Sequence, residues 1–490
     1  MNIFHGNGPA LAAGFEECPG IPDTLGDTPV YPRQNLLQSY LSVPFYAAGA
    51  WLFGEEPTIP GRGLFWNIPW GPLFFVSMLN PLLAALTAIL VALLGREFGL
   101  SPPRHYQLAL MYGLTSMIWH YSGLGMEVVQ TAILTSAIYA AVKYRFSGKI
   151  KWLVIASVLL LALPNCKKHT FIFVVPIAIY LFYMVARKNR EKALLITGIL
   201  GFSAIAGTVI MITGMLIRFR ADPNLFPHLL GSFLSGGFKS VDLIFGLTLS
   251  PGEGLLIYNP LLWFCVPAWG IFYRKYRSEA ILFGSVAAVL LLALWKVPFV
   301  LIDEEWGPRY LLCLTPLMFV AGAEGLFRER KKFMKAVFIS VLISGFIIGW
   351  LSSLYLGFKV LDAAVDMGVD DYFVIAFTPS MSQIWLTVTC FGSHLKYMFT
   401  GRHSEISHRQ YHVYTGLGGY YETLRKDLRG YDYPSGGLFV VRWVLSEKGI
   451  HGLNPTVVFI IKLITDCLLV GVLLILVKTR KNSLIESPVG

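Results

Sequence analysis

Residues 124–143 read LGMEVVQTAILTSAIYAAVK. Between Glu127 and Lys143 no charge interrupts the run, and the two charges sit near its opposite ends. A segment of this length and apolarity matches the roughly 20 residues that an α-helix needs to cross a hydrocarbon core. Similar runs recur along the chain, eleven in all: 71–94, 105–121, 124–143, 152–166, 169–186, 193–217, 255–273, 279–301, 309–327, 334–355 and 456–478. The composition agrees. Of 490 residues, 55% are apolar and 14% charged, against roughly 25% charged in an average soluble domain. The pattern excludes a disordered chain, a coiled coil and an ordinary cytosolic enzyme. It predicts an all-α polytopic membrane bundle of about eleven spans.

The connections between runs set the orientation. Every second one is basic: Arg96 and Arg104; Lys143, Arg145, Lys149 and Lys151; Arg187, Lys188, Arg190 and Lys192; Arg274, Lys275 and Arg277; Arg328, Arg330, Lys331, Lys332 and Lys335; Lys478, Arg480 and Lys481. Lys and Arg accumulate on cytoplasmic loops, so these turns are predicted to be cytoplasmic. The same bias accounts for the net charge of +11 without invoking nucleic acid, and no nucleic-acid partner is expected. The opposite side then holds 1–70, 218–254, 301–308 and 356–455. The first carries Arg33 and Arg62 against six acids, Glu16, Glu17, Asp23, Asp27, Glu55 and Glu56. The last balances nine basic against nine acidic residues.

The predicted organisation follows. Residues 1–70 form an outer loop with interfacial helices. Residues 71–355 form the transmembrane bundle with the outer loop 218–254. Residues 356–455 form an outer loop or small domain, and 456–490 a final span and cytoplasmic tail. Within the first part, residues 34–53 are apolar and aromatic, but Pro44 breaks the run. That suits a helix lying in the interface plane. An outer segment 1–70 requires something to carry it across. Either a short tail translocates with the first span, or a further span lies upstream; the second is the expectation.

Of the six cysteines, Cys166, Cys265, Cys313 and Cys467 lie in or beside apolar runs, where Cys behaves as a small hydrophobe. Cys18 and Cys390 lie in polar segments, and no CxxC occurs. Disulfide-stapled and zinc-ribbon chemistry have no support in this spacing. Phosphate-binding P-loop, dinucleotide, zinc-protease and nucleophile-elbow motifs are absent.

Polar groups at membrane depth are expensive and mark functional candidates. Four clusters fall at the predicted outer side. Asn165–His169 places Lys167 and Lys168 between two runs, as an anion site or as lysines snorkelling to headgroups. Asp303–Tyr310 places Arg309 after a rigid Gly-Pro turn, either as a phosphate clamp or as the partner of Asp303, Glu304 or Glu305. Glu127 stands near an outer helix end, as an interfacial carboxylate or as one that orients a sugar hydroxyl. Ser250–Pro260 carries Glu253 between two glycines, then Tyr258 and Asn259.

In this order the clusters resemble the GT-C class of polytopic membrane glycosyltransferases. The likeness is to the protein O-mannosyltransferase-like and aminoarabinose-transferase-like bacterial branch. The stretches Tyr31–Tyr46, the start of the Glu127 span, Gly252–Pro260 and Trp306–Tyr310 carry it, over residues 25–330. The resemblance implies transfer of a sugar from a polyprenyl-phosphate donor to a lipid, glycan or protein acceptor, on the outer face of a bacterial inner membrane. It implies donor-phosphate contacts from Arg309, Lys167 and Lys168, and substrate contacts from Glu127, Glu253, Tyr258 and Tyr310. It implies a general base among the first-loop acids, here Asp27, Asp23 and Glu17, with Glu16 beside them. No cofactor is expected, and a divalent-metal requirement stays open. The chain departs from the class in lacking the first span that delivers the first outer loop, so the base is expected either among these acids or upstream. A multi-pass transporter or a lipid-linked-sugar flippase is the rival reading.

Overall fold

A computed structural model describes residues 36–54, 70–124, 127–188, 242–295, 306–352 and 382–385, with isolated positions at 198, 209, 377, 379, 387 and 388. The expected spans 193–217 and 456–478 and most of 356–455 lie outside the described residues. Among the described residues the chain is helical and contains no strand.

The helices follow in order: α1 Leu36–Phe53, α2 Trp70–Ser77, α3 Leu79–Glu97, α4 Pro102–Thr115, α5 Ile118–Leu124, α6 Glu127–Ser147 and α7 Ile150–Ala162. Two 3-10 turns, Leu163–Asn165 and Lys168–Phe173, lead into α8 Val174–Lys188. Then come α9 Asp242–Leu249, α10 Leu255–Tyr258, α11 Leu262–Lys275 and α12 Arg277–Trp295. A 3-10 segment, Arg309–Leu314, continues into α13 Thr315–Ala321 and α14 Ala323–Phe327, and α15 spans Lys332–Ser352. Among the described residues four helical stretches are long and apolar enough to cross a membrane: Phe74–Glu97, Thr170–Arg187, Arg277–Leu294 and Lys332–Ser352.

The expected run 105–121 is divided between α4 and α5. The expected break at Pro44 is absent, because α1 continues through it. The proline removes the N–H that would bond the Tyr40 carbonyl and crowds that carbonyl with its ring, yet the helix runs on. Nearby, the Ser42 hydroxyl donates to the Ser39 carbonyl at 2.8 Å.

The outward faces show what surrounds the bundle. Leu82, Leu86 and Ile89 on α3 are exposed, as are Ile150, Val154 and Val158 on α7 and Val175, Ile179 and Phe182 on α8. Each set recurs at three- or four-residue spacing, so it forms one stripe on its helix. Contiguous exposed apolar stripes on several helices are foreign to a water-soluble surface and natural in contact with lipid. The inward faces carry Leu94, Leu108, Tyr112, Leu134, Phe173, Phe283 and Phe319, all fully buried. Where α14 begins, Gly322 lies against Cys265 of α11 so closely that a Cβ would overlap it. Small residues permit such backbone approach between membrane helices.

Among the described residues the basic turns gather at one end. Helix α3 closes with Gly99 at φ +82°, the Leu100 N–H bonding the Gly95 carbonyl and the Gly99 N–H the Arg96 carbonyl. This is the paired 6→1 and 5→2 closure that a left-handed glycine allows. Pro102 then opens α4, where its missing N–H is not needed. Around these turns Lys143 pairs with Glu97 at 2.5 Å and Lys275 with Glu324 at 2.5 Å. Arg145 pairs with the buried Glu279, which also accepts the Tyr180 hydroxyl at 2.5 Å. The Tyr276 hydroxyl donates to the Phe98 carbonyl at 2.8 Å, crossing from one turn to another. Helix α6 runs from this end to Glu127. At 1.5 Å per residue, Glu127 and Arg145 stand about 27 Å apart along the axis.

Candidate functional site

Glu127 is the first residue of α6, where the unpaired N–H groups of a helix favour negative charge. It is nevertheless buried, with 3% of its side chain exposed. Its carboxylate accepts the Lys167 ammonium, whose side chain is 5% exposed. Lys167 sits in the gap between the two 3-10 turns, where a continuous helix would point it elsewhere. Thr170 holds it there: both its N–H, at 3.0 Å, and its hydroxyl, at 2.6 Å, donate to the Lys167 carbonyl. The polar knot between two apolar runs is thus a folded device that turns one lysine inward.

Arg309 completes the group from a third part of the chain. Its Nε lies 3.8 Å from the same Glu127 oxygen, and its side chain is 27% exposed. One guanidinium nitrogen donates to the Tyr310 hydroxyl at 3.2 Å. The Tyr310 ring takes the Arg309 guanidinium at 5.1 Å and the Lys167 ammonium at 5.2 Å from its centroid. Two cations therefore share one carboxylate and one aromatic ring. The group keeps a net positive charge, and the cation that reaches outward is the guanidinium, whose planar fork matches phosphate and carboxylate oxygens. One helical turn further along α6, Gln130 is fully buried on the Glu127 face. Its position three residues after Glu127 is the sequence pattern that could have singled it out.

Arg309 is aimed by the turn before it. Trp306 is buried, its ring stacked on His120 at 5.8 Å and meeting Tyr258 edge-on at 5.3 Å. The Tyr121 hydroxyl donates to the Trp306 carbonyl at 2.9 Å. Gly307 has φ +66°, and a Cβ there would lie 2.8 Å from the Tyr258 ring and 3.0 Å from the Met117 sulfur. Its N–H donates to the Gln383 side chain at 2.7 Å, and its carbonyl accepts the Arg309 N–H at 2.9 Å.

The 250–260 stretch supports the same turn from below. The Tyr258 hydroxyl donates to the Gly252 carbonyl at 2.7 Å, and Asn259 Oδ1 accepts the Met117 N–H at 2.9 Å. Glu253 is buried on this loop, its own N–H donating to the Ser250 hydroxyl at 3.1 Å. Four of the candidate residues, Glu127, Lys167, Arg309 and Tyr310, thus touch directly. Tyr258 reaches them through Trp306, and Glu253 belongs to the loop that Tyr258 ties down. Lys168 opens the second 3-10 turn, but its side chain lies outside the described residues. So do Glu16, Glu17, Asp23, Asp27 and the 303–305 acids. Among the described residues, no group of three or more His, Cys, Asp or Glu side chains could hold a metal ion.

No protein-family model matches the chain, and no curated protein matches it. Among solved structures it is similar to the apo oligosaccharyltransferase of Archaeoglobus fulgidus, with a TM-score of 0.40 and 14% identity. The match covers 72% of this chain and 53% of that one, so the chain spans about half the length of that protein.

Proposed function

We propose that the chain is a membrane glycosyltransferase that moves a sugar from a polyprenyl-phosphate donor to a lipid, glycan or protein acceptor, at the membrane face opposite its basic turns. The observation that carries this reading is the Glu127–Lys167–Arg309–Tyr310 group. It offers a partly exposed, pre-aimed guanidinium at the end of an apolar bundle, backed by a second cation. A lipid-linked phosphate has matching chemistry: the prenyl chain stays in hydrocarbon while its head meets the guanidinium.

In this proposal Arg309 binds two donor phosphate oxygens through its fork. Lys167 adds positive charge where the leaving phosphate develops negative charge. Glu127 holds the two cations in register and offers an acceptor to a sugar hydroxyl. Lys168, Glu253, Tyr258 and Tyr310 remain candidates for further contacts with the donor. A first-loop acid, Asp27, Asp23 or Glu17, takes the proton of the acceptor hydroxyl. The acceptor oxygen then bonds to the anomeric carbon with inversion. The carbon–oxygen bond to phosphate breaks, and polyprenyl phosphate leaves with the electron pair. No resident cofactor enters these steps. A bacterial inner membrane, whose outer face offers such acceptors, is the proposed location.

The test uses the full chain in lipid nanodiscs with a polyprenyl-phosphate donor radiolabelled in the sugar. Covalent label on an acceptor is the expected result. Arg309→Ala is expected to lower transfer by about 100-fold or more, as removal of one charge-stabilising donor does elsewhere, while membrane insertion is unchanged. Vectorial movement of the label without a covalent product would replace this reading with the transporter or flippase alternative.

A further inference from the structure

Arg309 can clamp an anion only if its backbone holds one direction, and the turn before it is fixed partly by a residue beyond α15. Gln383, 2% exposed, lies beyond α15 in the chain, yet its side-chain oxygen accepts the Gly307 N–H at 2.7 Å. Gly307 is the left-handed residue of the turn, two positions before Arg309. The same short segment reaches the other support of the turn, since the backbone of Gln383 and Ile384 lies beside the Tyr258 oxygen. Tyr258 in turn abuts Trp306 edge-on. One segment thus bonds the peptide that turns the chain and lies beside the ring against which the turn is packed.

We propose that Gln383 is a positioning residue for Arg309: its hydrogen bond to Gly307 fixes the turn that aims the guanidinium at the donor phosphate. The idea rests on the donor reading above for its binding consequence. The mechanical part stands on the turn alone. Gly307 allows φ values that other residues avoid, so the turn needs an external bond to select one. The Gln383 bond supplies it without touching the ligand.

The test compares Gln383→Met, which keeps length and loses the acceptor, with Gln383→Glu, which keeps an acceptor oxygen. The full chain in nanodiscs is probed with tritiated polyprenyl monophosphate and by hydrogen–deuterium exchange across 306–312. Loss of one such hydrogen bond is expected to raise the Kd about fivefold in Gln383→Met, with faster exchange at the turn. Gln383→Glu, whose buried carboxyl takes up a proton and still offers an acceptor oxygen to Gly307, is expected to bind and exchange like the wild type. Unchanged exchange in Gln383→Met overturns the proposal, as does equal weakening in both variants. If Gln383→Met does not fold, wild-type behaviour of Gln383→Glu supports the proposal and weakened binding by a folded Gln383→Glu overturns it. A wild type that binds no polyprenyl monophosphate overturns the donor reading, while the exchange measurement still decides the role of Gln383.

Discussion

Glu127 and Lys167 form an ion pair with both side chains hidden from solvent, and Arg309 approaches the same carboxylate oxygen from the exposed side at 3.8 Å. The inner pair is neutral, so the charge the group presents outward is that of Arg309. Burying two charges carries a large desolvation penalty that only their mutual contact and further hydrogen bonds offset. The pair is therefore sensitive to loss of either member.

Removing one partner should leave the other charge buried and uncompensated. Glu127→Ala and Lys167→Ala are each expected to destabilise the protein by about 3–5 kcal/mol. The double variant Glu127→Gln, Lys167→Met should recover most of that. Thermal unfolding in nanodiscs measures it. Single variants as stable as wild type would show that the pair contributes nothing to the fold.

Gly307→Ala places a Cβ where φ is +66° and the Tyr258 ring is 2.8 Å away. The left-handed conformation alone costs roughly 1–2 kcal/mol for a residue with a Cβ, and the overlap adds to it. The expected outcome is a lower unfolding temperature together with weaker polyprenyl-phosphate binding, because the same turn carries Arg309. A normal affinity in a destabilised variant would separate the turn from the site.

At the opposite end Glu279 is buried between Arg145 and Tyr180. Glu279→Ala should destabilise the bundle by leaving the Arg145 guanidinium without its carboxylate, by about 1–3 kcal/mol, less than at the fully buried pair because Arg145 is 26% exposed and can turn to water. Donor affinity per folded molecule should stay within about twofold of wild type, since the site lies about 27 Å away along α6. Binding measured on the monodisperse fraction checks this. A large affinity loss would mean that the two ends are coupled.

The first-loop acids are tested separately. If one of Asp27, Asp23 and Glu17 is the base, its amide variant should lose about 100-fold or more in kcat with the donor KM little changed. Rates for Asp27→Asn, Asp23→Asn and Glu17→Gln against the radiolabelled donor decide among them. Three fully active variants would place the base outside this set.

The helical bundle is legible from the sequence because run length and the spacing of Lys and Arg are local properties. Lys143, Arg145, Lys275 and Arg330 sit at turns that the structure brings to one end, each with a nearby acid or carbonyl group. The helix through Pro44 is less legible, since a proline predicts a lost hydrogen bond but not whether packing against α2 outweighs it. The contacts at the site are not local. Sequence order offers Arg309 the acids at 303–305, while the carboxylate at 3.8 Å comes from α6. Lys167 shows its charge in the sequence, but its inward direction depends on a 3-10 gap held by Thr170. Gln383 carries no local pattern at all, because its bond to Gly307 spans 76 residues.

The separation of Glu127 from Lys167 by 40 residues also sets a schedule for making the protein. Synthesis at about 5–20 residues per second leaves Glu127 waiting some 2–8 seconds for its lysine, and longer still for Arg309. During that interval the Glu127 carboxylate has no lysine beside it. The pair can therefore close only once Lys167 has been made, and the Arg309 contact only later still, so the group is assembled in chain order.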